Sequence, residues 1–315
     1  MNTHASEVRD LDHVVMADGR IYRVVGNLDH PAKFVGYNVY SPHSGGDRIF
    51  RGKRYRKNFT EDDELPQDAL DTYVMLPKAR ICEHLDPHTA AAEKADTFAG
   101  SEWAGLHAEL TALFGPDAVG IFGSAMLGMH LTPNGQVRKD VDFVIEGTGN
   151  IPALRERLPA IRSKLGFTEV TSVRQSRQYE RYRRVFRNEN NSTDLVISRR
   201  WTALQAPNGI VTTIRFRDPT VRLPYQLAGA YPVQAKDITV TGQVADADLG
   251  NLFPRVFRLL TGSYAYTVHL WWWKFASPVR DGETVTVCGS RRDMPGQDVI
   301  RVSSFTRHWL KIHNP

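Results

Sequence analysis

Residues 120–147 read GIFGSAMLGMHLTPNGQVRKDVDFVIEG. A short apolar run ends at Gly123-Ser124, a polar loop follows, and Asp140 and Asp142 then flank Val141 at the head of a second apolar run. Alternate side chains of a strand share a face, so Asp140 and Asp142 project together while Val141 points the other way. Two carboxylates this close repel each other. A divalent cation that prefers oxygen ligands, Mg²⁺ or Mn²⁺, reverses that penalty. The competing reading is a pair of exposed aspartates at a strand end, and the surrounding residues decide between the two.

Gly123 and Ser124 follow the strand-like VGIF and precede a segment that reads as a turn and short helix, AMLGMHL. Backbone N–H groups and the Ser124 hydroxyl at a helix N-terminus would cradle a triphosphate. A third carboxylate on a neighbouring strand would complete a two-metal site for phosphoryl transfer. Asp194, opening the apolar run of STDLVIS, is the candidate; the alternative is a cap or turn residue after NENNS. Just before it, RQSRQYERYRRVFR at 174–187 offers Arg181 and Arg183 as contacts for nucleotide phosphates or acceptor, against a surface strand laced by salt bridges.

Taken together, GS at 123–124, DVD at 140–142 and TDLVI at 193–197 resemble the nucleotidyltransferases of the DNA polymerase β superfamily, over about residues 117 to 198. The flanks DGRIYRVVGNLDHPAKFVGYNVYSP, GDRIFRGKRYRK and VTGQVADADLGNLFPRVFRL are similar to those of prokaryotic nucleotidyltransferase-domain proteins. The resemblance implies that Gly123 and Ser124 bind nucleotide phosphates and that Asp140 and Asp142 hold metal. It further implies that Asp194 holds the catalytic metal and helps deprotonate an acceptor hydroxyl. One departure stands out: the loop TPNGQVRK is longer than the family's usual connection, and Lys139 stands where a Ser is common.

The order strand, helix, strand, helix, strands around this segment predicts an α/β (α+β) nucleotidyltransferase core with a mixed sheet, covered by helices on one face. We place it at residues 76–205. A β-rich N-terminal domain is expected over 1–75, with strands HVVM and IYRVV about an Asp18-Gly19 turn and a third strand, KFVGYNVYSP. TEDDELPQDALDTYVMLP reads as a solvated helix and hinge. A β-rich C-terminal domain over 206–315 contains IVTTIRFRD, DITVTGQVA and ETVTVCG, and closure into a barrel of the oligonucleotide-binding type is one arrangement it allows. Within the core, Trp103, Leu106, Leu110, Leu113 and Phe114 at helical spacing predict a helix ended by Gly115-Pro116.

The formal net charge of +5 and pI near 9.2 lean towards an anionic partner, an NTP or a nucleic acid. DRIFRGKRYRK at 47–57 sharpens this: it is either an ordinary surface strand or a phosphate-facing strip with Phe50 and Tyr55 for stacking. Cys82 and Cys288 form no CxxC pair, and no run is long enough to span a bilayer, so a cytoplasmic protein without membrane or disulfide scaffold is expected. His84, Asp86 and His88 in EHLDPHT read as helix caps or surface groups rather than metal ligands. No P-loop or nucleophile elbow is present.

These features predict Mg²⁺- or Mn²⁺-dependent transfer of an NMP group from an NTP to a hydroxyl, with nucleic acid ranked ahead of small-molecule and protein acceptors. The alternative is a nucleic-acid-binding protein built on an inactive nucleotidyltransferase core.

Overall fold

The structure, a computed structural model, describes residues 7–58, 68–131, 140–170, 199–224, 237–262, 264–272, 279–294 and 297–313. Two compact units emerge. One comprises Met1–Asp63, Val74–Val170 and Thr202–Tyr225; the other comprises Glu64–Tyr73, Thr171–Trp201 and Gln226–Pro315.

The first unit begins with eight strands: β1 (His13–Met16), β2 (Ile21–Val24), β3 (Leu28–Asp29), β4 (Lys33–Pro42), β5 (Arg48–Phe50), β6 (Lys53–Lys57), β7 (Val74–Pro77) and β8 (Ile81–Leu85). Seven form an antiparallel sheet of order β5-β6-β4-β2-β1-β8, with β7 on β4. β1 and β2 meet about Asp18-Gly19, where Gly19 takes φ +80, a conformation that glycine adopts at no steric cost.

Helices α1 (Pro87–Lys94) and α2 (Glu102–Phe114) come next, then β9 (Val119–Phe122), β10 (Asp142–Glu146), α3 (Ile151–Leu165), β11 (Thr168–Glu169), β12 (Ala203–Gln205), β13 (Val211–Arg217) and β14 (Leu223–Pro224). α2 ends at Gly115, φ +87, and buries Trp103, Leu106 and Leu110. The second sheet has order β11-β12-β13-β10-β9; β10 runs parallel to β13 and antiparallel to β9. One face of this sheet carries Phe143, stacked on His107 of α2 at 6.1 Å. The other face carries Phe122, Asp142, Glu146, Thr213, Arg215 and Arg217 by strand alternation and register, and looks towards the N-terminal sheet and α1. Gly120 of β9 lets α1 come close: a Cβ there would lie 2.8 Å from Pro87.

The second unit holds β15 (Asp237–Ala245), β16 (Arg255–Thr261), β17 (Tyr264–Leu270), β18 (Thr284–Met294), β19 (Gln297–Val302) and β20 (Trp309–His313). β15 pairs with both β16 and β18, so the order β15-β16-β17-β19-β18 returns to its start and closes a five-stranded barrel; β20 adds to β18. Only β17 and β19 among these pairs run parallel. Phe257, Leu259, Val268, Val285, Val287 and Ile300 are fully buried. Trp271 and Trp272 are core residues as well, and Trp273 lies outside the described residues.

The expected α/β nucleotidyltransferase core is therefore corrected. Among the described residues strands dominate, and there are three α-helices, of 8, 13 and 15 residues. The short helix expected after Gly123-Ser124 is a run of turns, closed by Gly128 N–H to Ala125 O and Met129 N–H to Ser124 O. IVTTIRFRD, assigned to the C-terminal domain from sequence, is β13, hydrogen-bonded to β10. The predicted helix over 60–77 appears as a single 3₁₀ turn at Ala69–Thr72 followed by β7, with residues 59–67 outside the described set.

Candidate functional site

β9 is buried at all four positions and stops at Gly123, whose φ of +70 turns the chain out of the strand. Ala125, Met126, Leu127 and Met129 then fold back as an apolar plug, each less than 5 % exposed. Leu127 and Met129 pack with Ile21, Val39, Tyr40 and Tyr55 of the N-terminal sheet. This burial holds the Gly-Ser turn in place without a helix behind it. His130 closes the plug, fully buried; burial pushes its imidazole pKa down to about 4, so it is neutral near pH 7.

Antiparallel pairing of β9 with β10 sets Phe122 opposite Asp142, and Gly123 follows directly. A Cβ on Gly123 would sit 3.6 Å from Asp142 Oδ2, so the turn and this carboxylate border the same space. The other oxygen is fixed: Asp142 Oδ1 accepts from the Thr213 backbone N–H at 2.9 Å and from Thr213 Oγ1 at 2.7 Å. Thr212 Oγ1 donates to the carbonyl of Val141, which is fully buried. The two threonines of β13 thus hold the Asp-Val-Asp segment through both backbone and side chain. Asp140, half-buried, precedes the strand, and its charge acts on the phenol of Tyr40.

The N-terminal sheet reaches this place as well. The Arg23 guanidinium lies 4.5 Å above the Tyr37 ring and 5.9 Å from the Phe122 ring. Burial pushes the Tyr37 phenol up; Arg23 and Arg215 act against that shift, and Asp142 acts with it. Arg215 shares a sheet face with Asp142, two residues along β13 from Thr213. Arg23, Tyr37, Thr213 and Arg215 carry no sequence motif. Only the alternation in IVTTIRFR marks Thr213 and Arg215 as residues of one strand face.

Asp194, Arg181 and Arg183 lie outside the described residues. Both edges of β10 are occupied, by β9 and by β13. Among the described residues no group of three or more His, Cys, Asp or Glu side chains is arranged to hold a metal ion. Of the expected carboxylates, Asp142 is the one the structure sets beside the Gly-Ser turn; Asp140 lies two residues before it, ahead of the strand.

At the far end of the same sheet face, Arg217 is 1 % exposed and serves four partners. It donates to Asp12 Oδ1 (2.8 Å), Asp86 Oδ2 (3.0 Å), Glu146 Oε2 (3.0 Å) and His88 Nδ1 (2.6 Å). Asp86 caps α1 through the His88 and Thr89 backbone N–H groups, as the sequence reading allowed. The histidines differ from that reading. His84 contacts Asp12 at 2.6 Å and His88 accepts from Arg217 at 2.6 Å, its imidazole pKa pushed down by burial and by the adjoining guanidinium, so both belong to the network around Arg217. The network borders an open cavity of about 950 Å³ lined also by Phe50, Arg51, Met126 and Leu127. Comparison of the chain with protein-family models, with curated proteins and with solved structures finds no match.

Proposed function

We propose that the chain transfers a nucleotidyl group from an NTP to a hydroxyl acceptor and releases pyrophosphate, with Mg²⁺ or Mn²⁺ held by Asp140 and Asp142. The observation that carries the reading is the division of labour at Asp142. One oxygen is locked by two donors from Thr213, while the other borders the Gly123 turn. A ligating carboxylate oriented by outer hydrogen bonds has this form, and a carboxylate that only ends a strand does not require it. In the reaction the acceptor oxygen bonds to the α-phosphorus, the bond from that phosphorus to the β-phosphate oxygen breaks, and the acceptor proton passes to a base.

The bound cation would neutralise charge on the attacking and leaving oxygens. The turn at Gly123-Ser124 would receive phosphate oxygens, and Arg23 and Arg215 would offset the remaining triphosphate charge. Asp194 is retained as the candidate for the third carboxylate and for the acceptor proton.

The test is incubation of the purified protein with each labelled NTP, Mg²⁺ or Mn²⁺, and total cellular RNA or no acceptor, with pyrophosphate release and label transfer measured. Asp142→Asn and Asp194→Asn should each remove transfer, with far-UV circular dichroism unchanged. Full activity in Asp142→Asn, or no transfer by the unaltered chain with any NTP, refutes the proposal.

A further inference from the structure

The basic segment at 48–57 is a hairpin of β5 and β6. Its turn, Arg51-Gly52, has positive φ at both positions, +48 and +74, matching the two-residue type I′ connection that suits strand twist. Register pairs Arg48 with Tyr55, Ile49 with Arg54 and Phe50 with Lys53, which sorts the hairpin into two faces. The inner face is committed to the core. Tyr55 is 2 % exposed, in edge contact with Phe50, and packs with Leu127 and Met129 of the turn that starts at Gly123.

The outer face holds Ile49, 55 % exposed, with Arg54 and Arg56, also exposed; Arg51 and Lys53 stand exposed at the tip. Arg51 pairs with Glu83 at 2.5 Å and Arg54 donates to the Gly46 carbonyl, whereas no described carboxylate pairs with Lys53, Arg54 or Arg56.

We infer that this hairpin docks the phosphate backbone of a single-stranded nucleic acid, the acceptor class for the transfer proposed above, on which the inference rests. Two features point to that occupant. The face is an uncompensated row of cations, complementary to a polyanion. Arg54 and Arg56 are about 6.7 Å apart along the strand, a spacing on the scale of successive phosphates in an extended chain. The hairpin is anchored through Tyr55 on Leu127 and Met129 of the turn after Ser124, which leaves Arg54 and Arg56 on its opposite, exposed face.

Of the two readings of this segment from sequence, stacking on Tyr55 does not hold, because its ring faces inward; recognition is by backbone charge and is independent of base sequence. With its inner face buried, the hairpin offers one surface and does not enter a duplex groove as a free two-stranded ribbon would.

The experiment uses the full chain and fluorescein-labelled single-stranded RNA and DNA of mixed sequence, longer than the roughly 4–16 nucleotides typical of such sites. Anisotropy is followed across a salt series. For the unaltered chain, log Kobs should fall linearly with log salt for both strands. In Arg54→Gln/Arg56→Gln the slope should become shallower by about 1.4, close to 0.7 per lost phosphate contact, and affinity at low salt should drop at least tenfold. Binding without transfer would leave the docking strip standing and reject the transferase reading. Transfer to RNA with unchanged affinity and slope in the double variant would reject the strip alone. Tighter binding of the matching duplex, or displacement of RNA by polyglutamate or anionic vesicles at equal charge, overturns the assignment.

Discussion

Replacing Arg217 by Met removes the guanidinium that four buried or half-buried groups share, while preserving much of its apolar volume. Asp12 is also 1 % exposed; with the 2.8 Å contact gone its Oδ1 has no water to turn to, although Oδ2 keeps the Arg9 backbone N–H and His84, and Asp86 and Glu146, at 30 % and 27 %, retain partial hydration. The cost is therefore dominated by one buried carboxylate that loses its guanidinium but keeps two partners on its other oxygen, which places it at about 3 kcal/mol, the lower end for a broken buried pair. A loss of that size lowers Tm by roughly 10 °C in a unit of this length.

Acid supplies a second readout. Burial works to raise the Asp86 carboxyl, but the Thr89 N–H and the Arg217 charge outweigh it and hold the pKa at about 2, below the ordinary 3.8. A depressed carboxyl contributes stability that is present above the unfolded pKa and is lost as pH falls through the folded one. The unaltered chain should lose this contribution between about pH 4 and pH 2. Arg217→Met has less of it to lose, so the gap between the two proteins should narrow across the same window. Circular dichroism melts and urea titrations at pH 7 and through the acid range measure both effects. Arg217→Met within 1 kcal/mol of the unaltered chain at pH 7, or a gap that widens in acid, would refute the network's role.

Thr213→Val removes the 2.7 Å hydroxyl donor to Asp142 and leaves the 2.9 Å backbone donor, so Mn²⁺ affinity and transfer should fall about 10- to 100-fold with the fold intact, and Thr213→Ser should recover both. An unchanged Mn²⁺ titration would show that Thr213 does not orient the carboxylate. Gly120→Ala places a methyl 2.8 Å from Pro87 and 2.9 Å from Val144 Cγ1, forcing α1 away from β9 at about 1–3 kcal/mol; urea unfolding indistinguishable from that of the unaltered chain would contradict the close approach.

What could be read locally was read correctly where short-range sterics decide. The Asp18-Gly19 turn, the apolar stripe of α2 and its stop at Gly115 follow from φ preferences and side-chain periodicity within a few residues. The burial of Val141 between half-buried Asp140 and Asp142 is equally local, although the strand itself begins at Asp142. The same logic failed after Ser124. AMLGM has helical composition, but Gly123 and Gly128 both take positive φ, and the apolar side chains gain more by burial against Ile21 and Tyr55 than a short helix would return.

The sequence by itself singled out the candidate site residues and located many of the strands. Tertiary structure decided what those residues face. β13 reaches β10 across about seventy residues, and no local pattern specifies a parallel partner, so Thr213 as the anchor of Asp142 was invisible. The Arg217 network joins Asp12, Asp86 and Glu146 from three distant segments, and the fate of Tyr55 was settled by which hairpin face met the core. Backbone propensity acts over a few residues; strand pairing and the desolvation of buried charge act between segments the sequence keeps far apart.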